Sequence, residues 1–223
     1  HLTVPNSSHA LVIFAHGSGS GRLSPRNNQV AAALRSNGLA TLLIDLPNES
    51  EETNRANVFD IRLLAARLAS AASWARAQSG LDSLPIGYFG ASTGAAAALI
   101  AAGQDQSIAA VVSRGGRPDL EREALPSVRA PTLLLAGSLD GPVIELNQQA
   151  FAALNCPKKI LIVPGAGHLF EEPGTLDQVV AQHPGRLLRR DLGQHGNVVE
   201  DAGDVVEEGD ETGAGHGVTR VRL

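Results

Sequence analysis

The sequence predicts an α/β fold in which helices cover both faces of a mostly parallel sheet. Six short apolar runs alternate along the chain with segments of helical periodicity. Within each run the apolar residues are consecutive, as is typical of strands buried on both faces of a parallel sheet. The 223 residues are enough for one domain with a large core. We therefore expect a single α/β domain.

The apolar runs are the predicted strands. They cover residues 10–15, 40–44, 86–89, 108–112, 132–136 and 159–163. Residues 2–4 can add a further strand at one edge of the sheet. Because strand and helix alternate throughout, each strand pair needs a crossover, which favours parallel neighbours.

Helices are predicted between these strands. Ser24 is suited to an N-cap, Pro25 to the first helical position and Gly38 to the end, which predicts a helix over residues 25–37. A second, amphipathic helix follows from apolar residues at positions 61, 64, 65, 68, 72 and 75. A third follows from Val143, Leu146, Ala150 and Leu154, and it ends before Pro157. Another helix begins near Leu176 and is interrupted by Pro184.

The turn after the third strand has a serine at its tip. Gly90, Ala91, Ser92, Thr93 and Gly94 form a G-x-S-x-G pattern, which is typical of a strand-to-helix turn that exposes the serine hydroxyl above the sheet. Glycine is needed at both ends of the pattern because a side chain there would press on neighbouring backbone. We predict that Ser92 is a nucleophile.

Two more polar residues follow strands later in the chain. Asp140 comes after the fifth run and His168 after the sixth, and functional groups gather at the carboxyl ends of parallel strands. The order Ser92, Asp140, His168 is that of the nucleophile-elbow hydrolases. A serine needs an imidazole to accept its proton, and the imidazole needs a carboxylate to fix its tautomer.

An oxyanion hole is predicted beside Ser92. His16, Gly17, Ser18 and Gly19 follow the first strand and match a loop whose backbone N–H groups point into such a site. We assign the N–H groups of Ser18 and Thr93 as the donors and rank Ser18 above Gly17. His16 is expected to brace the loop.

Each assignment has a structural alternative. Ser92 can be an ordinary turn serine, Asp140 can cap the helix that starts near Pro142, and His168 can be a surface residue of a glycine-rich loop. If Asp140 is only a cap, Glu145 is the next candidate acid.

Arg114 follows the fourth strand on the same predicted edge. Its guanidinium is suited to holding a substrate carboxylate, or it can pair with a nearby acid. We prefer the second interpretation but keep Arg114 as a candidate substrate-binding residue.

Composition excludes several classes of partner. The net charge is −5 and no apolar run approaches the length of a membrane span, so we expect neither nucleic acid nor a membrane as partner. The single cysteine, Cys156, cannot form an internal disulfide framework or by itself a metal cluster. The predicted chemistry requires no metal and no cofactor, and the oligomeric state is left open.

The ends of the chain differ from the rest. The chain begins at His1 and has no methionine, so we expect residues to be missing before it, and without a recognisable leader we expect a cytoplasmic location. From Asp191 the sequence is rich in Gly, Asp and Glu and lacks an apolar period. We predict a domain over residues 1–190 and a disordered tail over residues 191–223.

Four motifs together resemble a known family. These are H-G-S-G-S-G at 16–21, G-Y-F-G-A-S-T-G at 87–94, S-R-G-G-R-P at 113–118 and G-A-G-H-L-F at 165–170. Residues 2–176 are similar to α/β-hydrolases of the dienelactone-hydrolase-like group. The resemblance implies an α/β-hydrolase fold with Ser92, Asp140 and His168 as a triad. Dienelactone hydrolases proper have a cysteine as nucleophile, so Ser92 favours a general ester hydrolase.

The leading hypothesis is a serine carboxylester hydrolase that forms an acyl-enzyme on Ser92. The segment between the fourth and fifth strands is too short for a cap domain, which favours short or water-soluble esters as small-molecule substrates. The alternatives are a dienelactone-type lactone hydrolase, a thioesterase or acyltransferase, and, from another class, a non-catalytic binding module with the same fold.

Overall fold

The computed structural model describes residues 1–181 and 198–201. Within these residues one sheet of eight strands has the order β1-β3-β2-β4-β5-β6-β7-β8. All neighbouring strands are parallel except β1, which pairs antiparallel with β3. The predicted α/β class and the predicted edge strand are confirmed. The strands are β1 Leu2–Thr3, β2 Leu11–Ala15, β3 Ala40–Leu43, β4 Ile86–Ala91, β5 Ala110–Arg114, β6 Thr132–Gly137, β7 Lys158–Val163 and β8 Val198–Asp201.

Seven α-helices and one 3₁₀ segment lie in the described part of the chain. They are α1 Pro25–Ser36, α2 Glu49–Glu52, α3 Arg55–Val58, α4 Ile61–Arg76, α5 Thr93–Gln104, the 3₁₀ segment Pro118–Ser127, α6 Gly141–Ala153 and α7 Thr175–Ala181. The predicted start of α1 is confirmed, since the Ser24 side chain accepts a hydrogen bond from the N–H of Asn27 and Gly38 follows with a φ of 74°.

The helices pack on the two faces of the sheet. Apolar residues of α4, α5 and α6 cover one face, and those of α1 and α7 cover the other. Ten consecutive residues of α5, from Thr93 to Ala102, are buried, because the helix lies between the sheet and its neighbours α4 and the 3₁₀ segment. Its alanines allow this close approach since they carry no side chain beyond Cβ.

The sequence patterns did not predict the short elements α2, α3 and the 3₁₀ segment. Helix α2 spans a single turn and begins with a capping box, in which the Asn48 side chain accepts from the N–H of Glu51 and the Glu51 carboxylate accepts from the N–H of Asn48. One turn is too short to show a helical apolar period. The 3₁₀ segment has non-helical backbone at Glu121 and contains Pro126, so no single pattern runs through it.

Strand β8 lies within the segment predicted to be a tail. It pairs with β7 in parallel register, with Lys159 opposite Val198. The sequence analysis predicted no strand at these four residues. An edge strand is held by backbone hydrogen bonds to one neighbour and needs few apolar side chains, so it leaves little apolar pattern in the sequence. The remainder of the predicted tail, the break at Pro184 and the boundary at residue 190 lie outside the described residues, and those predictions stand as predictions.

No helix within the described residues combines the length and apolarity that a membrane crossing requires.

Candidate active site

Ser92 lies at the turn between β4 and α5, at the carboxyl edge of the sheet. Its backbone has φ 50° and ψ −119°, a conformation that residues with a side chain rarely adopt. The N–H of Ser92 donates to the carbonyl of Arg114 at 3.2 Å, and the carbonyl of Ser92 accepts from the N–H of Arg117 at 3.2 Å. The strained turn is therefore held by the neighbouring strand and by the loop that follows it.

The two glycines of the pattern are required by close backbone contacts. A Cβ at Gly90 would lie 2.5 Å from the Cα of Ala95, and one at Gly94 would lie 2.1 Å from the carbonyl oxygen of Ala15. Neither neighbour is a flexible side chain. The steric reason predicted for both glycines is confirmed.

Ser92, Asp140 and His168 meet at this edge of the sheet. The His168 Nδ1 lies 2.7 Å from the Asp140 Oδ2, and the His168 Nε2 lies 3.3 Å from the Ser92 Oγ. With a proton on Nδ1 donated to the carboxylate, Nε2 is the acceptor for the Ser92 hydroxyl. The imidazole is 38% exposed and the Asp140 side chain 15% exposed, so the group opens to solvent on the histidine side.

The structural alternative for Asp140 does not occur in this structure. Asp140 precedes α6, but its side chain makes no capping hydrogen bond to that helix and bonds to His168 instead. Glu145 lies inside α6 and is exposed. Of the two acids considered, Asp140 is the one that the structure brings to His168.

Ser18 and Thr93 also lie together, although not in the predicted arrangement. The N–H of Ser18 donates to the Thr93 Oγ1 at 3.0 Å. The N–H of Thr93, the first residue of α5, has no carbonyl within the helix to bond. In this structure the Ser18 amide can therefore reach a substrate oxygen only if the Thr93 hydroxyl turns away, and the oxyanion hole stays a prediction.

His16 braces the loop before Ser18, as the sequence analysis expected. Its ring is 4% exposed, with Nδ1 2.9 Å from the carbonyl of Gly17 and Nε2 accepting from the N–H of Leu46 at 2.9 Å. Both ring nitrogens are engaged, so the imidazole holds the loop to the segment after β3.

A cavity of about 1130 Å³ opens beside this loop and reaches Thr93. Its wall combines charged and apolar side chains, among them Arg22, Leu23, Arg26, Asp45 and Val58. Arg22 and Asp45, which both line the cavity, form an ion pair. Ser18 and Thr93 line the cavity, whereas Ser92, Asp140 and His168 are not among the residues of its wall.

Arg114 is buried at the end of β5. The residue is 7% exposed, and its guanidinium has no carboxylate partner among the described residues, so the preferred pairing with an acid is wrong. Burial, with a smaller contribution from the charge of Arg26, lowers the pKa of Arg114 to about 10. The Arg114 Nη1 donates to the carbonyl of Leu169 at 3.2 Å, and Nη2 to the Asn27 Oδ1 at 3.4 Å.

Asn27 was not found by the sequence reasoning. It is 3% exposed and lies on the buried face of α1 with Val30, Ala31 and Leu34. The signal was available, because position 27 continues the apolar spacing of 30, 31 and 34 with a polar residue. A polar residue on a core-facing stripe predicts a buried hydrogen-bond partner.

A parallel sheet flanked by helices, with a strained serine turn and acid and histidine side chains at its carboxyl edge, defines an α/β hydrolase. The described chain has no separate cap domain between β5 and β6. The family model of the dienelactone hydrolase family matches residues 47–186, and the chain belongs to that family. The family predicted from the four motifs is confirmed.

A solved structure agrees with this assignment, and a more distant one shares the fold. The structure of a dienelactone hydrolase from Anabaena variabilis is 52% identical, has a TM-score of 0.78, and covers 81% of this chain and 86% of that one. Est1E from Butyrivibrio proteoclasticus has a TM-score of 0.68 at 16% identity, over 81% of this chain and 89% of that one, and so shares the fold.

A Mycobacterium tuberculosis protein named "Putative phosphoribosyl transferase" is 58% identical over 180 residues, which are 80% of this chain and 41% of that protein. The chain thus spans less than half the length of this relative.

Proposed function

We propose that this chain is a serine carboxylester hydrolase that acts through an acyl-enzyme on Ser92. The observation that carries the proposal is the hydrogen-bonded series from Asp140 through His168 to Ser92, at the tip of a strained turn. Strain of this kind is retained where the surrounding structure holds it for a function. A binding module would need neither the strained serine nor its alignment with a histidine and an acid.

The proposed reaction has two halves. The Ser92 Oγ attacks the ester carbonyl carbon while the His168 Nε2 takes the hydroxyl proton. The bond from that carbon to the leaving oxygen then breaks, and the leaving alcohol receives the proton from Nε2. Water attacks the acyl-enzyme with Nε2 as base, and the acid and free Ser92 are released. Asp140 keeps the proton on Nδ1 and stabilises the charged imidazole between the two transfers.

The separation of 3.3 Å between Nε2 and Oγ is compatible with this role, since such hydrogen bonds tighten when substrate binds. The N–H of Thr93 is the first oxyanion donor of the proposal. The Ser18 N–H is the second, once the Thr93 hydroxyl releases it.

Openness of the site favours short or water-soluble esters. His168 is 38% exposed, and the connection between β5 and β6 is a short 3₁₀ segment with no separate cap domain. Lactone hydrolysis is the second candidate, favoured by the relative that is 52% identical and named a dienelactone hydrolase. Thioester hydrolysis and acyl transfer share the same acyl-enzyme and differ in the leaving group or the acceptor.

Covalent labelling tests the proposal. A fluorophosphonate should modify the wild-type protein at one residue, and peptide mass mapping should locate the adduct on Ser92. The variant Ser92→Ala should fold, take no label and lose ester turnover by a factor on the order of a million. Retention of a tenth of the activity by that variant, or labelling at another residue, would refute the assignment. Comparing p-nitrophenyl acetate with a five-membered enol-lactone then separates the two substrate classes.

A further inference from the structure

Arg114 contacts three parts of the candidate site at once. Its backbone carbonyl accepts from the N–H of Ser92 at 3.2 Å. Its guanidinium donates to the carbonyl of Leu169, the residue after His168, and to the side chain of Asn27 in the first turn of α1. Helix α1 follows directly on the loop that contains Ser18. One residue thus connects the serine turn, the histidine loop and the helix behind the oxyanion loop.

The charge of Arg114 is unusual for its position. No carboxylate in the described residues pairs with it, its Nε has no hydrogen-bond partner there, and the charge of Arg26 lies close enough to lower its pKa. Burying a charge without a counter-charge is unfavourable. Arg26 itself is paired with Glu171 of the histidine loop. That the fold retains a guanidinium here, despite the unfavourable free energy of burying its charge, indicates that the geometry of this side chain is required.

The histidine loop is shaped around this guanidinium. Phe170 has a φ of 56° and is 1% exposed, and its ring centroid lies 5.6 Å from the Arg114 Cζ, within the range of a cation–π contact. Beside it, Gly115 has a φ of 53°, and a Cβ there would lie 3.0 Å from the carbonyl oxygen of His168. The end of β5 therefore runs directly against the backbone of His168.

We propose that Arg114 is a positioning residue, whose guanidinium fork sets the backbone of residues 168–170 and thereby aims the His168 imidazole at Ser92. A planar fork can bond the Leu169 carbonyl and the Asn27 amide oxygen from two separate nitrogens, whereas a lysine ammonium has its three donors on one nitrogen at the end of a shorter side chain. This inference rests on the proposed function of Ser92 and His168. It also replaces the carboxylate-binding hypothesis for Arg114, because a residue that is 7% exposed offers a substrate little surface.

The test compares Arg114→Met and Arg114→Lys with the wild type, and uses Arg35→Met as the matched control. Arg35 lies on α1, away from the site, and its guanidinium bonds the Thr41 hydroxyl at 3.1 Å. Each protein is examined for cooperative thermal unfolding, for kcat and KM on p-nitrophenyl acetate and on mono-p-nitrophenyl succinate, and for its rate of fluorophosphonate labelling.

For Arg114→Met we expect kcat and the labelling rate to fall about 10- to 100-fold, the loss typical of a misaligned catalytic group, while KM changes by no more than about threefold. The loss should be the same on the neutral and the anionic ester. The kcat and labelling rate of Arg114→Lys should lie between those of Arg114→Met and the wild type. Those of Arg35→Met should equal the wild-type values.

Two results would overturn the proposal. A loss confined to KM of the anionic ester would assign Arg114 to substrate binding, and an unchanged labelling rate in a folded Arg114→Met would leave it no positioning role. If Arg114→Met does not fold, the kcat of Arg114→Lys is the test. A wild-type kcat in Arg114→Lys would show that the guanidinium fork is unnecessary. A wild-type protein that takes no label would instead refute the proposed function, which keeps the two failures distinct.

Discussion

Gly94 lies where the first turn of α5 comes closest to the end of β2. A Cβ at this position would lie 2.1 Å from the carbonyl oxygen of Ala15 and 2.4 Å from that of His16. Both are backbone atoms, which cannot move aside without displacing the loop that carries Ser18. The glycine therefore couples the serine turn to the predicted oxyanion loop.

Gly94→Ala should lower the free energy of unfolding by about 3 kcal/mol, near the upper end for overpacking. The matched control is Gly103→Ala on the same helix, where a Cβ would make ordinary contacts of 3.4 and 3.5 Å with Ala124 and Ser127. That variant should change stability by less than about 1 kcal/mol, because alanine is the better helix former. Urea unfolding of both measures the difference, and equal effects would contradict the steric account.

Asp140 and Glu145 give a second comparison at the residue scale. An amide at position 140 can no longer hold the Nδ1–H tautomer, so Asp140→Asn should reduce kcat by about 10⁴-fold, as for other triads. Glu145→Gln removes an exposed charge on the same helix region and should leave kcat unchanged. Ester kinetics on the two purified variants measure this, and full activity in Asp140→Asn would exclude Asp140 as the catalytic acid.

At the scale of a single element, the start of the 3₁₀ segment between β5 and β6 supports the serine turn. The backbone N–H of Arg117, just before the segment, bonds the carbonyl of Ser92, and the Arg117 guanidinium bonds both oxygens of Asp119 at 2.9 Å. Those side-chain hydrogen bonds lower the pKa of Asp119 below its ordinary value of 3.8. The pair thus closes the loop that supports the serine turn.

This pairing predicts an acid-dependent stability. Because the folded state holds the Asp119 proton less tightly than the unfolded state does, the stabilisation is complete above pH 3.8 and is lost as the pH falls below it. The difference in Tm between wild type and Asp119→Asn should therefore be largest at pH 6 and shrink between pH 4 and 2.5. Differential scanning calorimetry over that range tests it, and parallel Tm curves would contradict the linkage.

At the scale of the whole molecule, all residues with a proposed role in the chemistry lie before residue 169. Strand β8 adds one edge ladder to β7, which stays paired with β6 along its full length. A chain that ends at Arg190 loses only that ladder among the described contacts between strands. A chain that ends at Asp201 keeps β8 and serves as its control.

The chain ending at Arg190 should keep the wild-type kcat/KM on a small ester, with a Tm lower by no more than a few degrees. The control chain that ends at Asp201 should match the wild type in kcat/KM and in Tm, because the residues beyond 201 are predicted to contribute no packed core. Ester kinetics and thermal melts measure both quantities. Failure of the shorter chain to fold would show that residues beyond 190 stabilise the domain, and would refute the predicted domain boundary.

The sequence alone determined the parts of the molecule that are specified by near neighbours in the chain. Continuous apolar runs predicted strands β2 to β7 to within a few residues, and the cap of α1 followed from Ser24 and Pro25. The turn that carries Ser92 could be predicted because it requires glycines two residues to either side. That Asp140 and His168 would lie near Ser92 followed from their positions just after strands, since parallel strands bring their carboxyl ends to one edge of the sheet.

Only the tertiary structure decided the contacts between residues far apart in sequence. Arg114 bonds partners that are 55 and 87 residues away, and no local pattern showed that its charge would be buried without an acid. The same holds for the Ser18 N–H, which bonds a hydroxyl 75 residues away. Local patterns predict which backbone conformation a segment adopts, whereas burial and hydrogen-bond partners depend on how the segments pack against one another.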